Sequence, residues 1–353
     1  MTPGRVWGAT PARRHNVLFI AVDDLRPDLG CYGNDFVKTP HIDRLAARGM
    51  LFERAYCQQA ICMASRASLL SGYRPDVGEI YRNEPLYEHV PDAYSLNRHF
   101  MANGYATKSI GKIYHHGKDD RVGWTHGDHD PKGEWVGRGY MSPPAQALAR
   151  AYDEKYPNAL RRGMGPAFER ADVPDNAYAD GRIADEAVTS LEQLRDTPFF
   201  LGVGFKKPHL PFNAPAKYWD LYDANAIQLA DNPYAPLDSP DVGHTPWGEL
   251  RGYAGMPRSG PMPDDLARQL VHGYYACVSY VDTQIGRVLD ALERLELAQN
   301  TVVVLWGDHG WKLGEHGMWC KHTNFEVDVH APLIFRAPGR PEGQRTRALV
   351  ELV

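Results

Sequence analysis

The chain has 353 residues, of which 43% are hydrophobic and 24% charged, a balance typical of a globular protein with a large buried core. Its formal net charge of −5 gives no general attraction for nucleic acid or for an anionic membrane surface. No stretch approaches the roughly 18 apolar residues of a membrane span and no apolar signal-peptide core is visible, so the sequence predicts neither, and a complete chain would be cytoplasmic.

The cysteines predict neither a disulfide framework nor a zinc site. There are five of them, an odd number, and no two are spaced as C-x-x-C. At least one thiol is therefore unpaired. Cys57, which precedes Cys62 by five residues, is interpreted as a buried free thiol.

Strand and helix signals alternate along the chain. The first is the apolar run N-V-L-F-I-A-V at 16–22, which is typical of a strand buried on both faces of a parallel sheet. Thr39-Pro40 then opens a helix that ends at Gly49. Further strands are predicted at 105–110, 198–205, 301–306 and 331–337, and further helices at about 92–103, 180–195 and 264–297. The pattern predicts an α/β fold in one domain at 16–353, after a tail at 1–15.

Two long segments, 115–176 and 213–262, lack a sustained hydrophobic period. Loops of this length usually cover a functional site or are disordered, so we expect them on the substrate side. The first contains H-H-G-K-D-D-R and H-G-D-H-D. Because these runs lack the spacing of metal ligands, solvated loops are favoured over a second metal site.

Polar side chains follow four of the five predicted strands at the point where each strand ends. Because the carboxyl ends of parallel strands meet at one edge of a sheet, these side chains are expected to converge on a single site. They are Asp23-Asp24, Lys112 with His115, His209, and Asp308-His309. This convergence is the main sequence argument for an active site.

The carboxylates of Asp23, Asp24 and Asp308 bring too much negative charge to one edge to remain unpaired. A hard divalent cation, Ca²⁺ or Mg²⁺, would resolve the repulsion through oxygen ligands. Lysine and arginine side chains predicted nearby would suit a small tetrahedral oxyanion, as in sulfuryl or phosphoryl transfer.

The segment C-M-A-S-R-A-S-L-L-S-G at 62–72 predicts a short helix, with Cys62 just ahead of it and Arg66 four residues later on the same face. The first turn of a helix carries unpaired N–H groups and partial positive charge, so the two residues form a candidate anion-binding corner. Buried packing of the cysteine is the alternative interpretation of this stretch alone.

The same segment matches the sulfatase signature C-x-[P/A]-S-R-x-x-L-L-[T/S]-G, and the chain resembles the sulfatase family. Other matching blocks are D-D-L-R-P-D-L-G-C-Y-G, G-K-I-Y-H, F-K-K-P-H-L-P-F, S-Y-V-D-T-Q-I-G-R and D-H-G-W-K-L-G-E-H-G-M-W-C-K. Within the family they are most similar to iduronate 2-sulfatase and its bacterial relatives.

This resemblance implies an alkaline-phosphatase-like fold, in which a mixed, mostly parallel sheet is flanked by helices on both faces. It also implies one Ca²⁺ per site, held by Asp23, Asp24, Asp308, His309 and the modified Cys62. Relatives continue into a smaller C-terminal subdomain beyond A-L-V-E-L-V, so the chain is expected to be truncated there.

The activity implied is hydrolysis of a sulfate monoester on a sugar such as a 2-O-sulfated uronic acid. The nucleophile would be formylglycine, which a formylglycine-generating enzyme makes from Cys62. Arg66 and Lys112 would hold the formylglycine oxygens, and His115 would take a proton. Lys321 and His209 would contact the sulfate and the leaving group.

Three alternatives remain open at this stage. Trp311, which follows D-H-G, would either wall the sugar side of the pocket or pack in the core. The same scaffold also serves phosphoester and phosphonate monoester hydrolysis, because a fold alone does not fix the chemistry. A non-catalytic protein that binds sulfated glycans is the third possibility.

Overall fold

The computed structural model describes residues 14–115, 120, 122–133, 137–159 and 161–353. Most of the predicted N-terminal tail lies outside these residues, as does most of the H-H-G-K-D-D-R run. Within the described residues, no helix is both long and apolar enough to cross a membrane.

The described part of the chain contains fourteen strands and eleven α-helices. The strands are β1 (Asn16–Val22), β2 (Met50–Phe52), β3 (Ala55–Cys57), β4 (Ala106–Gly111), β5 (Asp128–His129), β6 (Phe168–Ala171), β7 (Phe199–Phe205), β8 (Phe212–Pro215), β9 (Thr301–Gly307), β10 (Lys312–Leu313), β11 (Trp319–Cys320), β12 (Leu333–Arg336), β13 (Gln344–Thr346) and β14 (Val350–Leu352). The helices are α1 (Pro40–Ala47), α2 (Cys62–Ser71), α3 (Pro75–Gly78), α4 (Leu86–His89), α5 (Leu96–Ala102), α6 (Pro143–Lys155), α7 (Ala179–Gln193), α8 (Ala216–Trp219), α9 (Gly248–Arg251), α10 (Asp264–Arg294) and α11 (Glu326–Val329).

An eight-stranded sheet forms the centre of the protein, in the order β13-β2-β12-β9-β1-β7-β4-β5. β1 pairs in parallel with both β7 and β9, and β4 is parallel to β7 and β5. Only β12 runs against its neighbours, β9 and β2. The predicted mixed, mostly parallel sheet is confirmed.

All five predicted strands are present, but the prediction of five strands was incomplete. In the central sheet it missed β2, β5 and β13, which have only two or three residues each, and it also missed the six strands of the three small two-stranded sheets. Strands this short show no measurable alternation, and pairing with the sheet rather than local sequence defines them.

Helices cover both faces of the sheet because the central strands are buried on both sides. In β1, Leu18 and Ile20 face one core cluster, while Phe19 and Ala21 face a second. The first cluster includes buried residues of α1, α7 and α10. The second is formed with α2 and α5.

The two segments without a period are more ordered than the sequence suggested. Segment 115–176 contains the 13-residue helix α6, whose buried face is only Ala145 and Ala149, too little to give an apolar stripe in the sequence. β6 pairs in parallel with β8 to form a small separate sheet. Segment 213–262 carries the short helices α8 and α9.

Candidate active site

The carboxyl ends of β1 and β9 bring four of the predicted residues together. Asp23-Asp24 and Asp308-His309 directly follow these paired strands, and all four residues are at most 2% exposed. The backbone N–H of Asp24 donates to Asp308 Oδ1 over 2.9 Å. Asp24 itself adopts a left-handed φ of 60°, a conformation that aspartate tolerates better than most residues.

Cys62 occupies the first turn of α2 and points into this group. Its Sγ lies 3.2 Å from His309 Nε2 and 3.7 Å from Asp24 Oδ1. Burial, with the nearby carboxylate of Asp23, raises the pKa of the Cys62 thiol well above its usual value. An unmodified Cys62 is therefore a neutral thiol at neutral pH, and a poor nucleophile.

Arg66 is completely buried one turn along α2. Its Nε donates to Asp308 Oδ2 over 2.9 Å, and Nη2 lies 3.4 Å from Asp23 Oδ1. Nη1 donates to the carbonyl oxygens of Lys112 and Ile113. These partners show that Arg66 holds the carboxylates and the loop after β4 in place.

Lys112 reaches the site because β4 and β7 approach closely at their ends. A Cβ at Gly204 would overlap the carbonyl group of Lys112, so only glycine fits there. Lys112 Nζ contacts Asp23 Oδ2 over 2.5 Å. Burial alone would raise the pKa of Asp23, but Lys112 and other nearby cations hold it well below its usual range.

Lys321 is a site residue and is only 3% exposed. Its Nζ donates to Asp24 Oδ1 and Oδ2 over 2.7 and 3.0 Å. The residues on either side, Cys320 and His322, have left-handed φ values of 69° and 84°. Such conformations cost of order 1–3 kcal/mol each and cluster at functional sites; here they turn the Lys321 side chain inward.

The three carboxylates are not unpaired, which corrects the charge argument made from the sequence. Asp23 contacts Lys112, Asp24 contacts Lys321 and Asp308 contacts Arg66, as described above. The sequence argument failed because it did not place each cation beside its own carboxylate. The case for a metal therefore rests on the donor atoms.

Those donor atoms fit a cation. Ligand atoms of Asp23, Asp24, Cys62 and His209 lie within 4.8 Å of one another, and those of Cys62, Asp308 and His309 form a second such group. The two groups share Cys62 and together contain all five predicted ligands. Three carboxylates make the set rich in oxygen, as hard cations prefer.

The two predicted proton-transfer histidines have different surroundings. Burial, followed by the charge of Lys112, lowers the pKa of His115 to about 4, so this ring is neutral at neutral pH and can accept a proton. His209 Nδ1 lies 2.7 Å from the carbonyl of Leu210. Its Nε2 lies 3.1 Å from Glu249 Oε1 and 3.8 Å from Asp24 Oδ2.

Glu249 is the main site residue that the sequence did not reveal. It belongs to the four-residue helix α9 in segment 213–262, where no strand precedes it to mark its position. Its Oε2 lies 3.5 Å from Lys321 Nζ. Burial would raise the pKa of Glu249, but Lys321 and His209 hold it well below its usual range. Glu249 thus connects the two side chains expected at the leaving group.

Trp311 packs in the core rather than walling the pocket. It is 1% exposed, and its ring packs edge-on against Phe212. Lys321 Nζ lies 4.9 Å from the ring centroid. Of the two interpretations of Trp311, the structure supports packing in the core, because the indole is covered.

A cavity of about 470 Å³ opens above Cys62, within the usual size range of small-molecule sites. Segments 115–176 and 213–262 supply part of its wall. The lining includes Asp23, Cys62, Asn83, Lys112, His115, Arg138, Arg161, Tyr178, Lys206, Lys207, His209, Asn213, Glu249, Lys321 and His322.

The sequence model of the sulfatase family matches residues 15–353. The chain belongs to the sulfatase family. It is 39% identical over 339 residues to iduronate 2-sulfatase of Homo sapiens, covering 92% of this chain. It is also 34% identical over 355 residues to a sulfatase of Formosa agariphila, covering 96% of this chain and 67% of that protein.

A solved structure with the same architecture is the phosphonate monoester hydrolase of Agrobacterium radiobacter. It superposes on this sulfatase-family chain with a TM-score of 0.72 at 24% identity, over 96% of this chain and 71% of that one. At this identity the likeness shows the fold alone. The chain spans 60% of the length of human iduronate 2-sulfatase.

Proposed function

We propose that this protein hydrolyses sulfate monoesters of sulfated sugars, with a 2-O-sulfated uronic acid as the first substrate to test. The observation that carries the proposal is the position of Cys62. Its Sγ lies at the centre of three buried carboxylates and beneath a cavity lined with lysines and histidines. The name of the iduronate 2-sulfatase relative supports the choice of sugar.

Residue 62 acts after conversion to formylglycine by a formylglycine-generating enzyme. The family signature at 62–72 and the raised pKa of the buried thiol support this step. Formylglycine supplies an oxygen nucleophile where the thiol remains protonated. Arg66 holds the surrounding carboxylates, and Lys112 extends from the end of β4 toward the same point.

A Ca²⁺ ion would be held by Asp23, Asp24, Asp308, His309 and residue 62, whose donor atoms form the two overlapping groups. When bound, it would supply positive charge that stabilises the sulfate oxygens during transfer. The side chain of His309 is oriented by the contact of its Nδ1 with the carbonyl of Gly310 over 2.9 Å.

The remaining side chains bind the sulfate and move protons. Lys112 and Lys321 attract the sulfate oxygens. His209, beside Glu249, donates a proton to the sugar oxygen as the S–O bond breaks, and neutral His115 accepts a proton on the nucleophile's side. Overall, one water and one sulfate ester give one alcohol and one hydrogen sulfate ion.

Sulfate release, measured by ion chromatography, tests the proposal with protein that was produced together with a formylglycine-generating enzyme. We expect release from uronic acid 2-sulfate by the wild type, and none by Cys62→Ala. Lys217→Met serves as a matched control for Lys321→Met, because Lys217 is exposed and does not belong to the cavity lining. Binding of the sugar without any release would contradict the proposal and favour a glycan-binding protein.

Phosphonate monoester hydrolysis is the second candidate, supported by the fold shared with the Agrobacterium radiobacter enzyme. A phenyl phosphonate monoester in the same assay separates the two. Faster turnover of the phosphonate than of every sulfate ester would assign the site to that chemistry.

A further inference from the structure

The cavity above Cys62 carries more positive charge than one sulfate ester requires. Only two carboxylates, Asp23 and Glu249, belong to the described lining, against six basic side chains. These are Lys112, Arg138, Arg161, Lys206, Lys207 and Lys321. A sulfate monoester brings a single negative charge, and a cation bound near Cys62 would increase the excess.

Three of the six basic residues are paired with carboxylates. Lys112 contacts Asp23 and Lys321 contacts Asp24. Lys206 lies 2.7 Å from Asp130. The uncompensated charge is therefore concentrated elsewhere in the lining.

Of the three remaining basic residues, Lys207 donates to the carbonyls of His209 and Pro211, and Arg138 and Arg161 are the two guanidinium groups. Arg138 donates through Nε to the carbonyl of Arg162 and through Nη1 to the Tyr253 hydroxyl, both over 3.2 Å. Arg161 Nη1 lies 3.4 Å from the carbonyls of Gly248 and Glu249. Within the described residues, neither guanidinium is paired with a carboxylate.

These contacts orient the guanidinium groups without neutralising them. The ring of Tyr253 lies 5.7 Å from the Arg138 guanidinium, and the carbonyls at 248–249 hold Arg161 next to the helix that carries Glu249. Both side chains therefore keep donors for an anion in the same cavity as Cys62. A guanidinium offers paired N–H groups that match a carboxylate or a sulfate.

We propose that Arg138 and Arg161 form a second anion-binding subsite, which holds a carboxylate or a second sulfate of the sugar whose ester is cleaved at residue 62. The inference rests on the proposed function. It assigns a specificity role to side chains of segment 115–176, outside the signature blocks. A substrate with only one anionic group would leave this subsite empty.

Steady-state kinetics of Arg138→Gln and Arg161→Gln test the subsite on matched substrates. Uronic acid 2-sulfate is compared with its methyl ester, which lacks the carboxylate charge, and a disulfated hexosamine with its monosulfate. An aryl sulfate reports the cleavage site alone. Arg150→Gln is the matched control, because Arg150 is an exposed arginine on α6 outside the cavity lining.

Each cavity variant should raise KM for the dianionic sugar about tenfold, the scale of one charge-assisted hydrogen bond. We expect kcat, the aryl sulfate kinetics and the Arg150→Gln variant to stay within about twofold. Loss of selectivity for the acid over its methyl ester identifies the carboxylate as the bound group. If selectivity is lost only for the disulfated hexosamine over its monosulfate, the bound group is a second sulfate.

An equal KM rise on the monoanionic and dianionic substrates, or no rise on either, would overturn the subsite while the sulfatase activity stands. If the wild type releases sulfate from no ester, the proposed function fails instead. In that case, calorimetric titration with the same sugars still tests the subsite through their binding affinity. There, Arg138→Gln must weaken binding of the acid more than that of its methyl ester, and equal weakening would contradict the inference.

Discussion

Glu249→Gln tests whether a residue from an irregular segment controls the leaving-group side of the site. The substitution keeps the shape of the side chain and removes its charge. The Glu249 side chain is 12% exposed, with Oε1 3.1 Å from His209 Nε2 and Oε2 3.5 Å from Lys321 Nζ. Both contacts therefore lose their ionic character without leaving a cavity.

The expected loss follows from these two contacts. A hydrogen bond to a charged group contributes about 1.5–3 kcal/mol and a neutral one about 0.5–1.5 kcal/mol, so each contact loses about 1–1.5 kcal/mol. If both act in the transition state, kcat/KM falls roughly 30- to 150-fold.

Steady-state kinetics of sulfate release measure this loss, and Glu249→Asp provides the conservative comparison. We expect the main effect on kcat, with partial recovery in Glu249→Asp, because in the proposed mechanism His209 acts as the bond to the sugar oxygen breaks. A change of less than threefold in kcat/KM would refute this role for Glu249. A change confined to KM would place Glu249 in substrate binding instead.

Three further predictions concern pH and packing. The proposed mechanism needs a neutral His115, whose pKa is lowered to about 4 by burial and by Lys112. The decline of kcat/KM on the acid side should therefore lie near pH 4 rather than near 6.5, and His115→Asn should remove it. Gly204→Ala should lower the free energy of unfolding by about 1–3 kcal/mol in urea titrations, because its Cβ overlaps the Lys112 carbonyl; Gly243→Ala, with no atom within 4 Å of its Cβ, should change it little. Burial raises the pKa of Asp282 to about 7, so between pH 4 and pH 7 the folded state holds a proton that the unfolded state has released. The free energy of unfolding should therefore fall as the pH rises from about 4 to 7. Asp282→Asn should flatten that slope.

The sequence predicted the central sheet because the strands that build it are long and apolar. β1, β7 and β9 are almost entirely buried, and that burial appears as uninterrupted hydrophobic runs. Their carboxyl ends then placed Asp23, Asp24, Asp308 and His309 together, as expected. Local signals were sufficient because neighbouring parallel strands end at the same edge.

The parts that sequence reasoning missed depend on tertiary contacts. Glu249 and Arg161 reach the cavity from positions that do not directly follow a strand, so no spacing rule identifies them. Trp311 follows a site motif directly, but the covering chain buries its ring. Arg66 donates to carboxylates and carbonyls that only the folded chain brings to it, and these partners could not be read from spacing.

The central claim is that turnover depends on formylglycine at position 62. Preparations with different degrees of conversion can be compared by mass spectrometry of the tryptic peptide 55–66, where conversion lowers the mass by about 18 Da. Specific sulfatase activity is predicted to rise in proportion to the converted fraction and to extrapolate to zero for the unconverted thiol. Full activity in protein whose Cys62 remains a thiol would contradict the account.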